Sequence, residues 1–315
     1  MDLGLRYILV PALQWFASWV GNYGVAVILA TIIMRVLLLP LDVRQRKMAL
    51  RTREIQPQLD KLKQQYANNP QQLNKATQEL QKKHGISMAA GCLPALIQLP
   101  VMMGFFTALR QLAATQVQAM YDLAAANNIA GFADLMNRSR FLWIGNVFQP
   151  DAVMKLNLGM LFGNSSGIQA VRMIPDAEAI KAISGLEELA NYDAIMAPFM
   201  ASYGSRVNGF FIVALLAGVF SFLQNKLSSV NQPQAQPGQP NTGKMMSWMM
   251  LAMAIIFCLT QSAAFGLYWI TSSIMAIALQ LAMNYFYDPE RKAQKAAEQG
   301  PLDAFPDRKK KREAK

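Results

Sequence analysis

Residues 23–41 read YGVAVILATIIMRVLLLPL. The run contains no acidic residue, and its polar interruptions are Thr31 and Arg35. About 20 apolar residues in a helix cross the hydrocarbon core of a bilayer. This stretch therefore reads as a membrane span, with Pro40 closing it. Arg35 lies six positions before Leu41, about 9 Å from that end at 1.5 Å per residue. An Arg without a partner at this depth costs at least about 2.5–3.5 kcal/mol on insertion scales. Either it snorkels to the headgroups or it faces a hydrated cavity inside a bundle.

On the N-terminal side, residues 1–22 hold LRYILVPALQWFASWV (5–20), with Trp15 and Trp19 four apart on one helical face. An aromatic, amphipathic segment of this kind suits the membrane interface. Gly21-Asn22 breaks it. No removable signal peptide is read here, since no small-residue cleavage pattern precedes the first span.

On the C-terminal side, residues 42–87 carry ten Lys/Arg against four Asp/Glu. Ile55, Leu59, Leu62 and Tyr66 follow the spacing of a helix–helix seam. Asn68-Asn69-Pro70 is a turn signal, and Leu73, Ala76 or Thr77, and Leu80 resume the spacing. The segment reads as a polar helical hairpin, with Pro57 in the first turn of its first helix.

The same alternation continues. Residues 88–110 form a second span despite Pro94 and Pro100, which a bundle tolerates where neighbouring groups satisfy the freed carbonyls. Residues 111–207 carry six Lys/Arg and eight Asp/Glu and lack a long apolar run, so they read as a folded cap with amphipathic helical stretches over 111–126 and 176–191. Spans three, four and five are read over 208–227, 245–259 and 267–287. The Pro/Gln-rich linker 228–244 and the turn 260–266 separate them. The tail 288–315 ends in the basic run Arg308–Arg312. The fold class is thus all-α, a polytopic membrane protein of five transmembrane helices plus a cytoplasmic helical hairpin and an N-terminal interfacial helix.

Composition agrees. Of 315 residues, 53% are hydrophobic, and the net charge is +11. The positive-inside rule places Lys/Arg-rich flanks in the cytoplasm. Hairpin, linker and tail fall on one side of a five-span chain, and the acidic cap falls on the other. The N-terminus is therefore expected outside and the C-terminus inside. Cys92 and Cys258 sit in apolar runs with no disulfide or metal spacing, and His84 stands alone.

Polar residues in the other spans supply company for Arg35: Thr31, Gln98, Gln224 and Asn225, and Thr271, Ser272, Ser273 and Gln280. With no acidic residue in any span, they suggest a hydrated groove whose formal charge is positive. Such a groove suits attraction of an anionic or polar chain segment rather than proton relay. No carboxylate pair, Gly-rich phosphate loop or Ser/His arrangement lies in reach, so an enzyme is not expected, nor is a cofactor. A small-solute or anion transporter or channel is the main alternative. The absence of an internal repeat counts against it.

Four stretches carry a resemblance. Residues 23–66, GISMAAGCLPALIQLPVMMGFF (85–106), FLWIGNVFQPDA (141–152) and FGLYWITSSIMAIALQ (265–280) together resemble the YidC family of membrane protein insertases. The family's groove Arg falls on Arg35, and its proposed substrate-contacting residues in the last span fall on Tyr268 and Trp269. The resemblance implies nascent membrane proteins as substrates, a ribosome met by the basic hairpin and tail, the Sec translocon and anionic lipids as further partners, and a bacterial plasma membrane location. The last span departs from the family pattern. It opens on Gln261-Ser262-Ala263-Ala264 instead of a Pro, and Ser272-Ser273 replaces Ser-Asn. Residues 153–206 have no counterpart in the family's usual outer loop.

Overall fold

A computed structural model describes residues 4–86, 93–153, 171–175, 180, 189, 191–204, 207–229 and 242–287. Most of the amphipathic stretch read over 176–191, most of the linker, the basic tail and Cys92 lie outside the described residues. The described residues are helical, joined by loops that contain two isolated backbone bridges.

Helix α1 (Arg6–Val20) buries Leu9, Val10, Leu13 and Ala17 and exposes Tyr7, Ile8, Trp15 and Trp19. The two Trp rings stack with centroids 6.0 Å apart. Gly21 ends the helix at φ 73°, a left-handed conformation that glycine adopts without steric cost. Asn22 then joins two elements. Its Oδ1 accepts from the Val25 N–H at 3.1 Å, and its Nδ2 donates to the Arg140 carbonyl at 2.7 Å.

Helix α2 (Tyr23–Glu54) does not stop at Pro40 but runs on into the basic segment. Proline removes one helical N–H and leaves a carbonyl one turn back without its partner. Where water reaches that carbonyl it can be hydrated instead, and the helix continues. Helices α3 (Gln56–Gln65) and α4 (Pro70–Lys83) follow and pack together around Ile55, Leu59, Ile86 and Leu80. Pro57 lies in the first turn of α3. Asn69 caps α4, its side chain accepting from the Gln72 N–H at 3.1 Å, with Pro70 opening the helix.

Helix α5 (Leu93–Ala125) likewise runs beyond the expected end of its span, taking in the amphipathic stretch 111–126. At 33 residues it is about 50 Å long, well over the ~30 Å of hydrocarbon. Its far half builds the cap. Val117 and Met120 pack with Phe132 and Met136 of α6 (Ile129–Ser139) and with Tyr192, Met196 and Phe199 of α7 (Tyr192–Phe199). The Phe132 and Phe199 rings lie 4.3 Å apart.

Helices α8 (Ile212–Ser229), α9 (Thr242–Thr260) and α10 (Ala263–Tyr287) complete the bundle. Helix α10 is central, packing along α2 and α8 and touching α5 and α9. Gly266 lets α8 and α10 approach closely, since a Cβ there would collide with Val213.

The connection 141–152 holds the bundle at its cap end. The carbonyls of Val147 and Gln149 accept from the N–H groups of Ala264 and Ala263, the first turn of α10, at 2.7 and 2.9 Å. Asp151, fully buried, accepts from the Phe210 and Val213 N–H groups at the start of α8. Four N-terminal N–H groups of a helix lack intrahelical partners, and this one loop supplies acceptors to two helices.

Two described helices are long and apolar enough to cross a membrane, over Tyr23–Thr52 and Ala263–Phe286, and two shorter apolar stretches lie at Ile212–Leu227 and Leu251–Thr260. The most apolar window of the first is 28% buried. A helix at the core of a soluble protein would be mostly covered. Here Ile33, Val36 and Leu37 on α2, Leu215 and Phe222 on α8, and Ile274 and Leu281 on α10 lie exposed. Large exposed apolar surfaces on a folded chain belong against lipid or a partner.

Candidate functional site

The site forms where α2, α5 and α10 meet. Arg35 leaves α2 with its side chain 15% exposed, so most of it is out of contact with solvent. The guanidinium lies in electrostatic reach of the Tyr268 hydroxyl on α10. That hydroxyl accepts a hydrogen bond from Gln98 Nε2 on α5 at 3.0 Å. Ser272, buried one turn along α10, adjoins the same hydroxyl. Three helices thus contribute one polar group each around one phenol.

The phenol is held rigidly. Its ring stacks on Phe105 of α5 at 4.3 Å between centroids and 21° between planes, and packs at 5.7 Å from Phe265. Offset stacking of this kind adds about 0.5–1.5 kcal/mol beyond the area buried. A buried Tyr hydroxyl ordinarily finds a polar partner, and Gln98 serves here.

Arg35 also has an acidic neighbour that the sequence reading set apart. Its Nη1 lies 3.9 Å from Oδ2 of Asp42. Seven residues make nearly two turns of helix, so both side chains fall on one face once α2 runs through Pro40. Reading the span as closed at Pro40 assigned Asp42 to a separate segment. The signal that would have found it is the i, i+7 spacing.

The other expected groove residues are distributed differently. Thr31 is buried at 1% exposure, and its hydroxyl donates to the Val27 carbonyl of its own helix at 2.6 Å. Gln280 is fully buried on α10, eight residues beyond Ser272 and about 12 Å further along the axis. Gln224 is half-buried near the end of α8. The structure therefore gathers Arg35, Gln98, Tyr268 and Ser272, and places Thr31 within its own helix's hydrogen bonding.

Tyr268 and Trp269 face different neighbours, as adjacent residues on a helix must. Tyr268 turns to α5, while Trp269 Nε1 donates to Ser221 Oγ of α8 at 2.9 Å. Trp269 also packs on Phe265 at 6.0 Å. Ser221 was not singled out from sequence; a lone Ser in an apolar helix gives no distinguishing signal.

A second polar cluster, buried in the cap, was also missed. The Asn208 side chain accepts from the Asn146 N–H at 2.7 Å and donates to the Asn146 carbonyl at 2.9 Å. Asn146 Nδ2 donates to the Met173 carbonyl at 2.9 Å, and Gln116 Nε2 donates to Ser139 Oγ at 2.8 Å. These groups satisfy one another and fix the 141–152 loop, which makes them architecture rather than a reaction centre. Among the described residues, no three His, Cys, Asp or Glu side chains converge as a metal-binding set.

Residues 15–291 match the family model described as 60Kd inner membrane protein. The chain is 26% identical over 281 residues to the membrane protein insertase MisCA of Bacillus subtilis, covering 87% of this chain and 76% of that one. It is 25% identical over 295 residues to membrane protein insertase YidC 2 of Bacillus anthracis, covering 92% and 82% respectively. A shorter, stronger match, 41% over 106 residues, is to the membrane protein insertase YidC of Fusobacterium nucleatum, where the aligned part spans 52% of the relative and 34% of this chain.

Proposed function

The chain belongs to the 60Kd inner membrane protein family, and from that premise we propose that it is a membrane protein insertase. In this reading it passes nascent membrane proteins into the bilayer of a bacterial plasma membrane. The observation that carries it is the position of Arg35. A guanidinium sits largely covered where three helices meet, with a phenol and an amide beside it and the partly exposed carboxylate of Asp42 3.9 Å away.

The mechanism follows from bilayer physics. A polar groove open to the inner leaflet shortens the apolar barrier that the outer segment of a substrate must cross. Arg35 attracts acidic groups of that segment, a charge–charge interaction strengthened where water is scarce. The apolar segment of the substrate then leaves the groove for lipid along α8 and α10, driven by about 25 cal/mol per Å² of apolar area removed from water. No nucleotide takes part.

The topology proposed is five spans, with the cap outside and the basic segments inside. Exposed apolar faces on α2, α8, α9 and α10 support it, and so does the partition of charge between residues 42–87 and 111–207. The cytoplasmic hairpin α3–α4 and the basic tail then meet the ribosome, whose phosphate backbone binds clustered Lys and Arg electrostatically. Anionic lipids draw the same charges, and the Sec translocon is a further partner in this reading.

Complementation tests it. In bacteria depleted of their own insertase, this chain is expected to restore growth and insertion of single-span proteins. Stable expression in the membrane with no rescue of either would reject the reading.

A further inference from the structure

We propose that Asp42 is an internal counterion to Arg35 that a substrate carboxylate must displace, so that this residue sets how strongly the groove favours acidic over neutral segments. The proposal deepens the insertase reading and rests on it.

The geometry is specific. Asp42 lies on the same helical face as Arg35, with 3.9 Å between Oδ2 and Nη1. Its side chain is 26% exposed, so the pair sits at the rim, partly covered but reachable from water. Arg46, a further turn along α2, also lies in electrostatic reach of Asp42. The stripe therefore reads positive, negative, positive from the groove towards α3.

The separation matters as much as the pairing. Charge-assisted hydrogen bonds between guanidinium and carboxylate close to about 2.7–2.9 Å and are often bidentate. At 3.9 Å the contact is an ion pair without that closure, so it neutralises Arg35 without locking it. An arriving carboxylate that closes to bidentate distance outcompetes Asp42. A neutral segment has nothing to offer the guanidinium, and Arg35 then stays with Asp42. Arg46 gives the displaced Asp42 a second cation to rest against.

The alternative is that Asp42 serves stability alone, offsetting the cost of covering Arg35. The two roles differ in one readout, the ratio of acidic to neutral substrate inserted. Two single-span substrates differing by one Asp→Asn change in the outer segment are inserted into proteoliposomes, scored by protease protection. Both are assayed on one vesicle preparation, so any loss of folded protein cancels from the ratio.

Removing a partly exposed ion pair is expected to raise the ratio roughly two- to five-fold in Asp42→Asn. Asp42→Glu is expected to stay near the wild-type ratio. Arg35→Ala serves as the control for the groove itself. A ratio lowered by Arg35→Ala but unmoved or lowered by Asp42→Asn overturns the role of Asp42 and leaves the groove standing. A wild-type ratio in Arg35→Ala overturns the groove, and the counterion with it.

Discussion

Asp151 reaches across 62 residues of sequence to cap the helix that Val213 helps to open: its Oδ2 accepts the Val213 N–H at 2.6 Å. Its Oδ1 accepts the Phe210 N–H at 2.9 Å. A carboxylate at a helix N-terminus also meets the positive end of the helix dipole. Gly209 makes room for this contact, because a Cβ there would overlap the Asp151 carboxylate. The same loop feeds Val147 and Gln149 carbonyls to the first turn of α10. The two helices on which a substrate is proposed to slide are thus registered at one end by one loop.

Asp151→Ala is therefore expected to destabilise the protein by about 1–3 kcal/mol, since it removes a helix cap and takes the acceptor from the buried Val213 N–H and the part-buried Phe210 N–H. Gly209→Ala should produce a loss of the same kind by displacing the carboxylate. Thermal unfolding in detergent measures both. Unchanged melting in each variant would show that the cap contributes nothing.

Gly266 and Val213 offer a coupled test. A Cβ on Gly266 would collide with Val213 Cγ1, so Gly266→Ala should force α8 away from α10. Overpacking of this sort costs about 1–3 kcal/mol. Val213→Ala removes the colliding methyl groups, so the double variant should be more stable than the sum of the two single changes predicts. Strict additivity of the three melting measurements would mean that the helices do not meet there.

Much of this architecture was legible in the sequence, and the misses have physical causes. The aromatic face of α1, its stop at Gly21, the turn at Asn68-Asn69-Pro70 and the helix start around Pro57 follow from local chemistry that the sequence displays directly. The continuations of α2 through Pro40 and of α5 to Ala125 were not legible. Composition changes at those points, but a helix need not end where its solvent changes. Asp42 was lost with the first continuation. Arg35, Gln98 and Ser272 could be picked out as polar residues in apolar runs and Tyr268 through the family resemblance, whereas their convergence on one phenol depends on helix rotation. Asn146, Asp151 and Asn208 carry no sequence periodicity, since their roles are set by loop geometry and by contacts some sixty residues apart.

Topology is testable at two exposed positions on opposite ends of the bundle. Ala126 lies where α5 ends, in the cap, and Gln65 ends α3. In a variant with Cys92 and Cys258 replaced, a cysteine at position 126 is expected to react with an impermeant maleimide added to intact cells. One at position 65 is expected to react only after the membrane is opened. Labelling of position 65 from outside would reverse the orientation.

The central claim is that the charge of Arg35 works on acidic substrate segments. The most direct measurement is insertion by Arg35→Ala and Arg35→Lys proteins in proteoliposomes, using one substrate with an acidic outer segment and one with a neutral, strongly apolar segment. Arg35→Ala should lose most insertion of the acidic substrate and retain most of the neutral one, while Arg35→Lys keeps much of both because it keeps the charge. Wild-type insertion of both substrates by Arg35→Ala would contradict the account.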